Sequence, residues 1–170
     1  MRVNLKQLKL LPGQKKWVTE KIEEPPEWME AMQAVPAEPL TVKFSVEYTG
    51  NYWLIRGMVT APLKLTCSRC LEEFLYLLEG EFERIAVSAD AKIRNHMTGD
   101  DTYLLAEEGS ADLSQAIEEV LVLNIPMVPL CRENCSGLCP VCGQNLNFGT
   151  CHCSRDDVID PRLEKLKDLL

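Results

Sequence analysis

Histidine is scarce in this sequence, and the motifs of common enzyme classes are absent. The two histidines are His96 and His152, and neither fits a catalytic zinc site. His96 is not followed two residues later by the glutamate of a zinc deaminase. His152 lies between two cysteines, where we expect an exposed residue rather than a ligand. Since no Gly-rich phosphate loop, nucleophile elbow or acid–base pair is found either, we expect a protein that is not an enzyme.

The chain also lacks a long apolar run. Its most apolar stretch, residues 119–130, is interrupted by one asparagine and two prolines and is too short to cross a membrane. Lys6 and Lys9 interrupt the N-terminus where a signal peptide needs an apolar core. We therefore expect a cytoplasmic protein with no membrane partner. In that reducing compartment, eight cysteines favour metal binding over disulfides.

Positive charge is in deficit, because 18 Lys and Arg face 26 Asp and Glu and give a net charge of −8. Such a balance argues against a generally nucleic-acid-binding surface. The first 21 residues nevertheless hold six basic side chains and one acidic one. We therefore expect a basic N-terminal arm on an acidic body. Its basic residues are Arg2, Lys6, Lys9, Lys15, Lys16 and Lys21.

Alternating apolar and polar residues predict a series of strands. The predicted strands are Val3–Leu10, Leu40–Tyr48, Tyr52–Thr60, Leu63–Thr66, one or two over Phe74–Val87, and a short one at Tyr103–Leu105. Gly50-Asn51 supplies a turn, and Pro62 separates two of the strands. Between them, 23–39 is proline-rich and predicts a long loop with one helical turn around Trp28 and Met29. We expect an α+β fold with an antiparallel meander or barrel-like sheet.

Two helices are predicted near the end of the chain. Asp112 is the expected N-cap of a helix over 112–124, which Pro126 terminates. Its apolar face holds Leu113, Ile117, Val120 and Leu121. Asp160 and Pro161 predict the start of a short terminal helix. The expected division is a β-rich domain over 1–125 and a cysteine-rich zinc-binding tail over 126–170.

The cysteines form two groups along the chain. The first is Cys67-Ser-Arg-Cys70, between two predicted strands, and the second runs from Cys131 to Cys153. A CxxC turn followed by glycine, as at Cys139–Gly143, is typical of a zinc knuckle, because glycine permits the positive φ that the turn needs. Thiolate ligands favour zinc, with an iron–sulfur cluster as the second possibility.

Eight thiols match two closed sites of four ligands, so we expect two zinc ions. The favoured partition is Cys139, Cys142, Cys151 and Cys153 in one site, and Cys67, Cys70, Cys131 and Cys135 in the other. A rival partition pairs the two CxxC turns with each other. A further alternative leaves the first CxxC as two buried thiols. A thioredoxin-type redox pair is disfavoured, because the surrounding strands are antiparallel.

Four segments resemble the YceD family. They are Cys67-Ser-Arg-Cys70-Leu71, Leu123-Asn-Ile-Pro-Met-Val-Pro-Leu-Cys131, Gly137-Leu-Cys-Pro-Val-Cys-Gly-Gln-Asn-Leu146 and Asp160-Pro-Arg-Leu163. The resemblance extends over essentially the whole chain. It implies a non-catalytic ribosome-biogenesis protein that is required for accumulation of the large-subunit 23S rRNA, and it supplies no established active site.

The favoured hypothesis is therefore a protein that binds 23S rRNA, its precursor or an early large-subunit particle. The candidate contacts are Lys6, Lys9, Lys15, Lys16, Arg69, Arg132 and Arg155. Zinc knuckles often present arginine and backbone groups to looped RNA. The alternative is an acidic, zinc-stabilised adaptor that captures a basic large-subunit ribosomal protein, which the net charge favours. A thiol redox sensor that releases zinc on oxidation is a third, weaker hypothesis, and the sequence does not fix the oligomeric state.

Overall fold

The structure is a computed structural model that describes residues 1–6, 11–24, 26, 28–88, 103–106 and 109–153. Within these residues, eight strands and two helices follow one another. They are β1 (Arg2–Asn4), β2 (Lys15–Ile22), α1 (Trp28–Ala31), β3 (Val35–Pro36), β4 (Leu40–Tyr48), β5 (Tyr52–Thr66), β6 (Glu73–Ser88), β7 (Tyr103–Ala106), β8 (Ser110–Asp112) and α2 (Ser114–Asn124). The predicted terminal helix from Asp160 lies outside the described residues.

The main sheet is an open antiparallel meander. Its six strands have the order β2-β4-β5-β6-β7, with β3 beside β5. Every pairing in it is antiparallel except β6 with β7, which is parallel. β1 and β8 form a separate two-stranded sheet. The predicted α+β meander is confirmed, whereas the barrel-like closure is not, because β2 and β7 lie at opposite edges of the described sheet.

One face of the main sheet holds the core. In β4 the alternate residues Leu40, Val42, Phe44 and Val46 are completely buried. Ile117, Val120 and Leu121 of α2 are buried in the same cluster, as the apolar stripe predicts. Neither helix of the described residues is long and apolar enough to cross a membrane.

Helix α2 begins one residue later than predicted. Leu113 rather than Asp112 occupies the N-cap position. Asp112 still serves the helix start, since its carboxylate accepts a hydrogen bond from the Ser114 N–H at 2.9 Å. The predicted N-cap assignment is therefore wrong by one position, although the capping role of the carboxylate is retained.

Strand β5 is continuous through Pro62, where two strands were expected. The Pro62 carbonyl accepts the Ala37 N–H at 2.8 Å. Because the N and O of one strand residue point to the same side, the donor that proline lacks would face Ala37 and not β6. Pro62 therefore removes no hydrogen bond from the long β5–β6 ladder.

The predicted basic arm is in part a strand of the sheet. Lys15 and Lys16 lie in β2, paired with Glu47 and Val46 of β4. Side chains of consecutive strand residues point to opposite faces, so these two lysines lie on different sides of the sheet. The sequence did not predict β2 because its residues are mostly exposed and its apolar alternation is weak.

Candidate metal centres

The eight cysteines lie in two groups of four. Within each group, all Sγ atoms are within 4.8 Å of one another. We call the first group the sheet site, formed by Cys67, Cys70, Cys131 and Cys135, and the second the tail site, formed by Cys139, Cys142, Cys151 and Cys153. These are the sets of the favoured partition, and the rival pairing of the two CxxC turns is not the one that the structure brings together.

The sulfur separations suit a tetrahedral ion better than disulfides. In the sheet site, Cys67 and Cys135 are 3.8 Å apart and Cys70 and Cys131 are 3.7 Å apart. Four sulfurs around zinc at a bond length of about 2.3 Å are about 3.8 Å from one another, whereas a disulfide needs about 2.05 Å. In the tail site, Cys139 and Cys151 are 3.3 Å apart. All eight cysteines are free thiols, so the donor set fits two four-sulfur metal sites.

The two CxxC turns share one backbone geometry. In the sheet site, the Cys67 N–H donates to the Glu72 carbonyl and the Leu71 N–H to the Cys67 carbonyl, both at 2.9 Å. In the tail site, the Cys139 N–H donates to Gln144 at 2.8 Å and the Gly143 N–H to Cys139 at 2.9 Å. The residue after the second cysteine has positive φ in both, 60° for Leu71 and 74° for Gly143. Both turns are therefore knuckles of the same type.

The sheet positions the first knuckle, and the tail is hydrogen-bonded to it. Cys67 and Cys70 lie in the connection between β5 and β6. The Ser68 N–H donates to the Pro129 carbonyl at 2.9 Å. The Arg69 guanidinium donates to the Cys135 carbonyl at 3.1 Å. These bonds bring the Cys131–Cys135 segment to the end of the sheet, where its thiols complete the group of four.

Two asparagines that the sequence did not predict link the segment between Cys142 and Cys151 to the sheet site. The Asn147 amide donates to the Cys135 sulfur at 3.3 Å and to the Asn145 side-chain oxygen at 2.8 Å. Asn145 in turn donates to the Glu72 carboxylate at 3.4 Å. A side-chain donor to a thiolate fixes its orientation and disperses its charge. The only signal in the sequence is the Asn-Leu-Asn spacing within the cysteine-rich segment, which is too common to identify a ligand partner.

Backbone amides favour the thiolate form of Cys67 in the sheet site and of Cys139 in the tail site. Burial opposes ionisation of Cys67, but the N–H groups of Cys131, Arg69 and Cys70 outweigh it and lower its pKa to about 6. The N–H groups of Cys142 and Val141, with the Cys151 thiol, lower the pKa of Cys139 to about 6. One such amide, that of Val141, lies 3.4 Å from the Cys139 sulfur.

Other thiols of the same sites hold their protons. Burial and the neighbouring Cys70 thiol raise the pKa of Cys131 to about 12. The Cys142 thiol and burial raise the pKa of Cys153 to about 12. Each site thus combines a thiolate with a protonated thiol, whose proton a metal ion must displace when it binds the sulfur. This is the arrangement of a metal-binding group, because four adjacent thiolates without a cation repel one another.

The basic residues proposed for RNA contact do not form one cluster. Lys15 of β2 pairs with Glu47 of β4, which in turn pairs with Leu54 of β5. Leu54 lies twelve residues before Thr66, the last residue of β5 before the first knuckle. At about 3.3 Å per strand residue, Lys15 and Arg69 lie about 40 Å apart along the sheet. Lys6, Arg69 and Arg132 are exposed in the described residues, while Lys9 and Arg155 lie outside them. One N–H group of the Arg69 guanidinium is already hydrogen-bonded to the Cys135 carbonyl.

Comparison with known proteins gives a consistent result. The family model of YceD, described as large ribosomal RNA subunit accumulation protein YceD, matches residues 55–170. An uncharacterised protein of Mycobacterium tuberculosis is 31% identical over 131 residues, which are 77% of this chain and 62% of that protein. One of Mycobacterium leprae is 30% identical over 132 residues, 78% of this chain and 59% of that protein.

A plant protein is also similar. The large ribosomal RNA subunit accumulation protein YCED homolog 1, chloroplastic, of Zea mays is 26% identical over 157 residues, 76% of this chain and 54% of that protein. This chain therefore spans between about half and three fifths of the length of these three relatives. No solved structure matches it.

Proposed function

This chain belongs to the YceD family of large ribosomal RNA subunit accumulation proteins, and on that premise we propose that it acts in ribosome biogenesis by binding 23S rRNA, its precursor or an early large-subunit particle. The family match over residues 55–170 is the observation that carries the proposal. The printed name of the Zea mays relative points to the same process. We place this action in the cytoplasm, and we propose that it involves no catalysis.

The metal sites support a structural role for the cysteines. We propose that the sheet site and the tail site each bind one zinc ion through four thiolates, since soft sulfur donors favour zinc. Zinc would supply a cross-link that partly offsets the negative charge of the four thiolates. A site closed by four cysteines leaves no coordination position for substrate, which is the reason for proposing a scaffold rather than an enzyme. Metal analysis of the purified protein by mass spectrometry tests this, with two zinc ions per chain expected.

Direct binding is tested with 23S rRNA itself. Purified protein is titrated against 23S rRNA and against 16S rRNA as the control, at several salt concentrations. Tighter binding to 23S rRNA, weakening as salt increases, is expected for contacts with phosphates. Equal and negligible binding to both RNAs would contradict direct recognition.

A protein-binding adaptor is the second candidate, and the net charge of −8 favours it. An acidic surface attracts basic ribosomal proteins through the same electrostatics that repel RNA. A pull-down from lysate after nuclease treatment distinguishes the two functions. Loss of all large-subunit components supports direct RNA contact. Retention of one basic ribosomal protein supports the adaptor.

A further inference from the structure

An exposed tryptophan lies on the outer face of the main sheet, opposite the core. Trp17 of β2 is 68% exposed. The strand register places it in one row with Ser45, Arg56 and Glu83, across β2, β4, β5 and β6. Tryptophan is seldom this exposed, and covering its apolar ring with a flat partner is energetically favourable.

The same row forms a groove. Ser45, a small residue that is only 2% exposed, lies between the larger Trp17 and Arg56. Its hydroxyl is hydrogen-bonded to the Arg56 carbonyl at 3.3 Å and forms part of the floor. The resulting groove has a volume of about 630 Å³, and Met58 is one of the residues that line it. A space of this size holds a small organic ring system such as a nucleobase.

Charge is distributed unevenly across this groove. Lys15 and Lys43 line it on the side of β2 and β4, and the Lys15 ammonium lies 4.8 Å from the centre of the Trp17 ring. Glu81 and Glu83 line the side of β6. The Arg56 guanidinium pairs with Glu83 at 2.5 Å, and this bond raises the pKa of Arg56. Phosphates are thus attracted to the β2 side, and only groups with N–H donors suit the β6 side.

We propose that this groove, which we call the Trp17 groove, binds single-stranded RNA. One unpaired base stacks on Trp17, neighbouring phosphates contact Lys15 and Lys43, and the carboxylate side accepts N–H donors from the base edge. Stacking on an aromatic side chain with cations nearby is how proteins hold unpaired bases. A duplex fits this groove less well, because its bases are already stacked on each other. The proposal rests on the proposed function and locates its RNA contact.

The test uses the full chain and a fluorescein-labelled, 12-nucleotide single-stranded RNA of mixed sequence, followed by anisotropy. Trp17→Ala is expected to weaken binding about 10-fold or more, as loss of one stacked base does, while Trp17→Phe stays within about threefold of wild type. Phe148→Ala, which removes an aromatic ring that is 83% exposed outside the groove, is the matched control and leaves binding unchanged. The corresponding 12-base-pair duplex binds more weakly than the single strand.

Two exposed lysines provide a second, independent test. Lys15→Ala lowers the slope of log affinity against log salt by about 0.7, the value for one phosphate contact of a single strand. Lys64→Ala removes the same charge outside the groove, where the ammonium pairs with Glu73 at 3.4 Å, and leaves the slope unchanged. Circular dichroism checks that each variant folds. Native folding is expected because both lysine side chains are exposed.

The outcomes separate this inference from the proposed function. If wild type binds the RNA and Trp17→Ala binds equally well, the groove is excluded while rRNA binding stands. If wild type binds neither this probe nor 23S rRNA, both proposals fail. If Trp17→Ala loses a basic ribosomal protein that wild type retains without RNA, the groove is a protein interface and the RNA proposal is overturned.

Discussion

Leu71 and Gly143 occupy the same position in two knuckles, but they meet the same backbone requirement at different cost. Both have positive φ. This conformation costs an L-residue with a Cβ about 1–2 kcal/mol, whereas it costs glycine almost nothing. Leu71 is 65% exposed, so little packing offsets this cost.

Replacing Leu71 with glycine is therefore expected to stabilise the protein. Leu71→Gly gains about 0.5 kcal/mol or more after the larger unfolded-state entropy of glycine is subtracted. Leu71→Ala keeps the Cβ at positive φ and gains nothing. Gly143→Ala, the reverse change, loses about 1 kcal/mol. Thermal unfolding of the metal-loaded variants measures all three, and a Leu71→Ala protein as stable as Leu71→Gly would contradict the explanation.

The thiol pKa values predict how many protons zinc displaces. At pH 7, Cys67 and Cys139 are already thiolates, whereas Cys131 and Cys153 are protonated. Zinc binding at pH 7 should therefore release fewer than four protons per site. Below pH 6 the two thiolates become protonated as well, so the number rises towards four and the affinity falls. Calorimetric titration in buffers of different ionisation enthalpy gives the count. Four protons per site at pH 7 would mean that the thiols are not pre-arranged.

At the residue scale, the sequence predicted the ligands but not what surrounds them. The CxxC spacing identifies Cys67 and Cys139 because the turn itself brings two sulfurs together. Asn147 acts only because the fold brings its amide to Cys135, twelve residues earlier in the chain. Such a contact depends on tertiary structure, and no local pattern encodes it.

At the scale of elements, α2 packs closely on β6 at Gly80. A Cβ on Gly80 would lie 2.5 Å from a methyl carbon of Val120 and 2.7 Å from the Asn124 amide nitrogen. Arg84 of β6 also forms an ion pair with Glu119 of α2. Gly80 is thus the point that sets the distance between helix and sheet.

Gly80→Ala is expected to lower the free energy of unfolding by about 1–3 kcal/mol through overpacking. Val120→Ala removes the methyl group that the new Cβ would meet. The double variant should therefore lose less free energy of unfolding than the sum of the two single losses, by at least about 0.5 kcal/mol. Chemical denaturation of the four proteins of this cycle measures the coupling. Strict additivity would show that the helix moves away instead of clashing.

Strands and helices were predictable where burial is strongly periodic. β4 alternates over nine residues and α2 has four buried positions on one face, and both were predicted. β2 was missed because it is an edge strand whose residues are mostly exposed, so no apolar period marks it. The short strand at Tyr103–Ala106 was predicted, but its parallel direction was not. Direction depends on where the intervening chain returns to the sheet, which a local pattern does not contain.

At the scale of the whole molecule, the two sites differ in their access to solvent. Three ligands of the sheet site are buried, and the fourth, Cys131, is half-buried. In the tail site only Cys139 is buried, and Cys142 is exposed. The expected division of the chain at residue 125 stays a prediction, although the sheet site draws its ligands from both sides of it.

Excess chelator should therefore remove zinc in two phases of one equivalent each. The tail site empties first, because its exposed ligands let the chelator approach the ion, and the sheet site follows as its buried ligands open. A metal-sensitive dye records both phases. Cys142→Ser should abolish the fast phase and keep the slow one, whereas Cys67→Ser should do the reverse. A fast phase that persists in Cys142→Ser would contradict the assignment.

The sheet site also imposes an order of events on the growing polypeptide. Its partners Cys70 and Cys131 are 61 residues apart, and Cys67 and Cys135 are 68 apart, whereas Cys139 and Cys151 are separated by only 12. During synthesis the β5–β6 hairpin is complete while half of its ligands do not yet exist. Cys67 and Cys70 then form a half-finished site that oxidants can attack. Until residue 135 has been synthesised, Cys67 and Cys70 lack the two other thiols of their site.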